Sequence, residues 1–203
     1  MANNILSEAI RRGTCSLDKD TTAWYMIQGP MVGSQAADMI KNICSNMHFF
    51  SRPVRWIASE LSYCRDTNIS ASYWSLRPEY ARFGPELLEV PKEYADGCMC
   101  GTSPYGETTR YSVALEAVAS LVEYGEYNDG LVGISSCMSW WGNTSQKYND
   151  PTQNFYVDAL NHADGTGRNG NGWDGSPAPV DWYSHRMGKP GAGVVRPARS
   201  AEQ

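Results

Sequence analysis

Three histidines supply every imidazole of this 203-residue chain, so any proton relay built on one has few candidates. His162 lies in Ala159-Leu160-Asn161-His162-Ala163-Asp164, directly ahead of a long glycine-rich loop. A histidine on a loop leaving an ordered element is held in place yet able to face a cleft, and its ring titrates near neutrality, as a general base requires. His48, beside Phe49-Phe50, reads as a core or surface residue, and His185, in Tyr183-Ser184-His185-Arg186, as a loop residue. The other chemical candidate is Asp129 in Tyr127-Asn128-Asp129-Gly130-Leu131-Val132, where Asp-Gly also serves as ordinary turn punctuation between helix and strand. A carboxylate that meets an imidazole can fix its tautomer and stabilise its charged form.

Acid first and histidine second is the order in which α/β-hydrolases complete a nucleophile–acid–histidine triad. Asn128-Asp129-Gly130-Leu131-Val132 followed by Asn161-His162-Ala163-Asp164 resembles the acid and histidine segments of secreted bacterial-type triacylglycerol lipases and their eukaryotic relatives. Upstream, Gln28-Gly29-Pro30-Met31-Val32-Gly33-Ser34-Gln35-Ala36-Ala37 resembles the G-x-P-x-x-G-S-x-x-A strand end that follows the nucleophile helix in that family. The resemblance implies an α/β-hydrolase-like fold and hydrolysis of a lipid or other acyl-ester substrate, with no required cofactor. It implies Asp129 as the orienting acid and His162 as the general base. It further implies Ca²⁺ at Asp164, two residues after the histidine, although Thr108 and Thr109 occupy the region where a partner carboxylate is expected. Asp174, in Asn171-Gly172-Trp173-Asp174-Gly175, could serve a separate Ca²⁺ loop, but the run does not match the EF-hand pattern.

The family's nucleophile sits in a G-x-S-x-G elbow. Gly133-Ile134-Ser135-Ser136-Cys137 ends in cysteine where the elbow needs glycine, and Ser135 follows the acid, which is the wrong order. Met1-Ala2-Asn3-Asn4-Ile5-Leu6 instead resembles the stretch straight after the nucleophile, H-S-M-G/A-N-N-x-L. The expectation is therefore the C-terminal part of a hydrolase domain, starting at an internal methionine of a longer protein, with the serine immediately before Met1. One oxyanion donor is the backbone N–H after the nucleophile, so the chain by itself is expected to be non-catalytic. The competing reading is a secreted, disulfide-bonded binding module whose Trp and Tyr side chains stack on carbohydrate, and it requires an all-β pattern.

Composition narrows the class. The apolar set makes up 41% of the chain and aromatics 11%, enough for one sizeable core, and charged residues only 19% against roughly 25% in typical domains. A net charge of −5 without clustered basic residues lacks the phosphate-neutralising footprint of a nucleic-acid binder. No apolar run approaches the ~18–20 residues of a membrane span. Cys15, Cys44, Cys64, Cys98, Cys100 and Cys137 lack the spacing of a zinc site and read as disulfide candidates, with every pairing open except a bond between the near neighbours Cys98 and Cys100. Together with the sequons at Asn68 and Asn143 they suit an extracellular parent, although Met1-Ala2-Asn3-Asn4 is not the start of a signal peptide.

The elements that must position the motifs alternate. Asn3 to Arg12 places Ile5, Leu6, Ala9 and Ile10 at helical spacing before Gly13. Ala23 to Ile27 reads as a buried strand ended by Gln28-Gly29-Pro30, after which Ser34 caps a helix to about Cys44. Helix, strand, turn and helix make an α/β alternation, matching the C-terminal half of a hydrolase sheet. Residues 46–95, broken by proline and rich in aromatics, read as an irregular cap or lid insertion with one or two short helices. Tyr111 to Tyr124 reads as a helix with Val113, Ala114, Ala117, Val118, Leu121 and Val122 inside, and Leu131-Val132-Gly133-Ile134 as a strand. Residues 158–176 are a Gly/Asn/Asp loop, residues 1–187 belong to one domain, and 188–203 read as a disordered tail.

Overall fold

Glycine in the left-handed region closes the first helix, as its position predicts. In the computed structural model, which describes residues 2–60, 64–65, 68–69, 76–78, 85–141 and 149–187, α1 (Ala2–Arg11) ends at Gly13 with φ of 69°. The N–H groups of Arg12 and Gly13 turn back to donate to the carbonyls of Glu8 and Ile10. Strand β1 (Tyr25–Ile27), helix α2 (Gln35–Ser45), a 3₁₀ turn (Met47–Phe49) and helix α3 (Arg52–Glu60) follow. Then come a short hairpin of β2 (Cys64–Arg65) and β3 (Asn68–Ile69), helix α4 (Pro85–Tyr94) and strand β4 (Gly97–Gly101). The chain continues through α5 (Ser112–Val122), α6 (Ile134–Cys137), β5 (Phe155–Asp158), a 3₁₀ turn (Asp164–Thr166) and α7 (Pro179–Met187).

Parallel strands need long crossovers, and here helices supply them. The main sheet has the order β1-β4-β5, with Met26 opposite Cys98 and Tyr156 opposite Met99, all strands parallel. Alternation along the strands serves two cores. Met26, Cys98, Cys100 and Val157 join a core with Ile43, Ile57 and Leu115 from α2, α3 and α5. Met99, Tyr156 and Leu160 meet Trp182 of α7, with Tyr25 packed alongside. The chain is thus mixed helix and sheet with helices on both faces, not the all-β pattern a sugar-stacking module requires.

Several expectations are corrected. Residues 131–133 are a turn, and Ile134 opens a helix where a strand was expected. Strands β4 and β5 are not among the elements expected from the sequence. The buried side of α5 carries Ala114, Leu115, Val118 and Ala119, whereas Val113 is 57% and Leu121 40% exposed. His185 lies on α7 and not in a loop. Within the expected cap or lid, residues 61–63, 66–67, 70–75 and 79–84 lie outside the described residues, as do the tail 188–203 and the sequon at Asn143. Two disulfides form, Cys44–Cys64 and Cys100–Cys137. Cys15 and Cys98, also disulfide candidates, are free thiols, and burial pushes the Cys98 thiol up to about 12.

The glycines that bracket β4 allow close chain approach. A Cβ on Gly101 would stand 2.2 Å from the Leu160 carbonyl oxygen and 2.8 Å from the Cβ of Asp129. Gly101→Ala should therefore destabilise the fold by about 1–3 kcal/mol through overpacking against backbone that has little room to yield. Urea denaturation measures this, and a change below about 0.5 kcal/mol would contradict the packing described.

Candidate active site

The ends of the three parallel strands converge where open α/β sheets characteristically bind ligands, outside the carboxyl ends of the strands. β1 runs into Gln28, β5 runs through Leu160 into Asn161 and His162, and the chain leaving β4 returns through α5 to Asp129. Asp129 is 1% exposed. Its Oδ1 accepts the N–H groups of Leu131 at 2.9 Å and Val132 at 2.7 Å, which curls the chain into a turn and removes the expected strand. Gly130 makes that turn possible with φ of 98° and a backbone so close to Leu115 that a Cβ would fall 2.7 Å from its side chain.

The second carboxylate oxygen, Oδ2, lies 2.8 Å from Nδ1 of His162, and the Asp129 carbonyl accepts the His162 backbone N–H at 2.8 Å. The histidine is thereby fixed at both ring and backbone by one residue. Its side chain keeps 31% of its surface exposed, and among the described residues Nε2 has no hydrogen-bond partner. Burial disfavours the imidazolium, but the charge of Asp129 and its hydrogen bond outweigh that and hold the His162 pKa above its ordinary value.

The residues flanking His162 knit its loop. The Asn161 side chain accepts the N–H groups of Ala163 at 2.8 Å and Asp164 at 3.0 Å and donates to the Tyr105 carbonyl at 2.8 Å. Fully buried Asp164 accepts the N–H groups of Glu107 at 2.9 Å and Asn161 at 3.0 Å on one oxygen, and the Asn169 amide at 2.7 Å on the other. With both oxygens engaged by protein donors, Asp164 does not fit the Ca²⁺ ligand that the resemblance implies. Burial, opposed by these hydrogen bonds, raises its pKa. Burial and then the charges of Asp164, Asp174 and Asp158 raise that of Glu107, yet among the described residues no three such side chains gather into a cation-binding group. Asp174 accepts a turn hydrogen bond from the Ser176 N–H at 3.2 Å.

His162 opens onto a cleft of about 530 Å³. Ile57, Leu76, Leu115 and Leu131 supply its apolar wall, while Tyr111 and Arg168 supply polar groups. Ile57, Glu60 and Leu76 come from the 46–95 segment, so part of that segment does border the site. Gln28 lines it in a left-handed conformation with φ of 46°, and its amide donates to the Asn161 carbonyl at 2.9 Å. Non-glycine residues adopt that conformation where surroundings over-determine it. Gln28, Tyr111 and Arg168 were not singled out for chemistry by the sequence reading; Gln28-Gly29-Pro30 was the only signal among them. His48 and His185 are exposed and lie outside the cleft lining.

The hydroxyls are committed elsewhere. Ser135, at an exposed position of α6, donates to Glu126 Oε1 at 2.8 Å, so it does not meet His162. Ser34, at the cleft wall, donates to the Leu131 carbonyl and leaves its own helix without the side-chain cap expected of it. Thr166 donates to the Ala163 carbonyl at 2.7 Å.

No protein-family model matches the chain and no curated protein matches it, so the case for this site rests on its geometry. Above pH 6.5 the unfolded chain releases the His162 proton, whereas the folded chain, with its raised pKa, retains it. The pair's stabilisation is therefore complete below that pH and is lost as pH rises through the folded pKa. Urea unfolding between about pH 6 and about pH 8.5 should show a fall in stability that is smaller in His162→Gln. Equal falls in both proteins would contradict the coupling.

Proposed function

We propose that the chain carries the acid–base pair of a serine-type carboxylic ester hydrolase acting on a lipid or other acyl ester. The observation that carries this reading is the 2.8 Å contact between Asp129 Oδ2 and His162 Nδ1, with the opposite ring nitrogen open toward an apolar-walled cleft. In this arrangement Nδ1–H donates to Asp129, and Nε2 is the unprotonated base. Nε2 takes the proton of an attacking hydroxyl as its oxygen bonds to the ester carbonyl carbon, then delivers that proton to the departing alcohol as the acyl bond breaks. Water repeats the sequence to release the acid. Asp129 remains ionised throughout and stabilises the transient imidazolium.

The parallel sheet supports an α/β-hydrolase-like architecture, in which the 46–95 segment acts as cap or lid. No described hydroxyl on the cleft wall is free to act as nucleophile. In the family that Met1-Ala2-Asn3-Asn4-Ile5-Leu6 resembles, the serine stands directly ahead of this stretch, so on this reading the nucleophile comes from outside the described cleft wall.

Sequencing the gene directly ahead of the Met1 codon should reveal in-frame Gly-x-Ser codons. Expressed with that segment, the protein should hydrolyse p-nitrophenyl butyrate; His162→Ala should abolish turnover and Asp129→Asn should lower it by about 10⁴-fold. Turnover by the chain alone that disappears in Ser135→Ala would overturn the reading, as would turnover indifferent to His162.

A further inference from the structure

Two guanidinium groups converge on one neutral oxygen at the cleft. Arg168 Nη1 donates to the Tyr111 hydroxyl oxygen at 2.7 Å, and Arg110 Nη2 donates to the same atom at 2.6 Å. Both cations also lie against the Tyr111 ring, at 5.5 Å and 4.8 Å from its centroid. A phenol hydroxyl is an unusual shared acceptor for two arginines, because it neutralises neither charge. Donation from Arg110, and then from Arg168, lowers the Tyr111 pKa. Among the described residues, Glu60 is the one carboxylate paired with this group, 3.5 Å from Arg110, and Arg168 has none. The local surplus of positive charge runs against a chain whose net charge is −5.

Position gives the surplus a direction. Arg168 and Tyr111 line the same cleft as His162, together with apolar Ile57, Leu76 and Leu131 and the carboxylate of Glu60. An arginine fork matches the two oxygens of a carboxylate or phosphate, and Tyr111 holds this one in place before any ligand arrives. A ligand that satisfied both sides would lay an alkyl chain on the apolar wall and bring an anionic group to Arg168.

We propose that Arg168, held by Tyr111, is a specificity-determining residue that selects esters bearing an anionic carboxylate or phosphate group on their polar side over uncharged esters. This inference rests on the ester-hydrolase reading for the nature of the substrate, but its test reads binding alone. The probes are decyl phosphate, monodecyl succinate and uncharged decyl glucoside, each titrated calorimetrically into the chain below its micelle concentration. Wild-type chain should bind one or both anionic amphiphiles at least about tenfold more tightly than decyl glucoside, and which one does so distinguishes phosphate from carboxylate. Arg168→Gln should erase that preference by weakening the anionic arm, and Arg168→Lys should keep part of it. Added salt should weaken the anionic arm alone.

Equal affinity for all three probes, no binding of any of them, or a preference unchanged in Arg168→Gln would overturn the inference. If the preference depends on Arg168 but the upstream-extended protein turns over no ester, the anionic site stands and the hydrolase reading falls. If uncharged esters are hydrolysed and no anionic preference exists, the hydrolase reading stands and this inference falls.

Discussion

A single buried carboxylate organises the site. Asp129 is removed from water, and a buried charge is tolerable only when its oxygens are satisfied by donors. Here three nitrogens meet it, the backbone N–H groups of Leu131 and Val132 and Nδ1 of the His162 ring. Two of these contacts dictate the turn after Asp129, and the third dictates where the imidazole points. The same residue's carbonyl holds the His162 backbone. Truncating the Asp129 side chain would release the turn and the His162 ring together, so their positions are not independent.

The sheet keeps that carboxylate where it is. Gly101 at the end of β4 brings backbone against the Asp129 Cβ, and the Cys100–Cys137 disulfide joins the same strand to α6, just beyond the turn. The Ser136 hydroxyl ties α6 to the Gly33 carbonyl at 2.7 Å, and Ser34 donates to Leu131. These links stitch the segment after β1 to the segment carrying Asp129. A disulfide closing such a loop contributes about 2–4 kcal/mol, chiefly by restricting the unfolded chain.

The motifs were legible because their information is local. Asn and Asp side chains bind neighbouring backbone, so Asn128-Asp129-Gly130 and Asn161-His162-Ala163-Asp164 each describe a turn as well as a pair of chemical groups. The strands were not legible. Gly97-Cys98-Met99-Cys100-Gly101 has no strand-like alternation of apolar and polar residues, because both faces of this central strand are buried. Leu131 to Ile134 has strand composition, but capture by the Asp129 carboxylate outweighs that propensity. Helix α7 carried a signal in Pro179 at its first position, with Trp182 and Arg186 buried one turn apart. The pairing of Arg110 and Arg168 on Tyr111 had no signal, since only the fold brings these distant residues together.

The chemistry of the site turns on which nitrogen of His162 carries the proton, because an imidazole serves as a base at Nε2 only if Asp129 retains the proton on Nδ1. Ring nitrogen NMR of the protein, labelled at histidine and recorded above the His162 pKa, reads this directly. His162 should be the Nδ1–H tautomer in the wild-type protein and should lose that preference in Asp129→Asn. A neutral His162 protonated at Nε2 in the wild-type protein would contradict it.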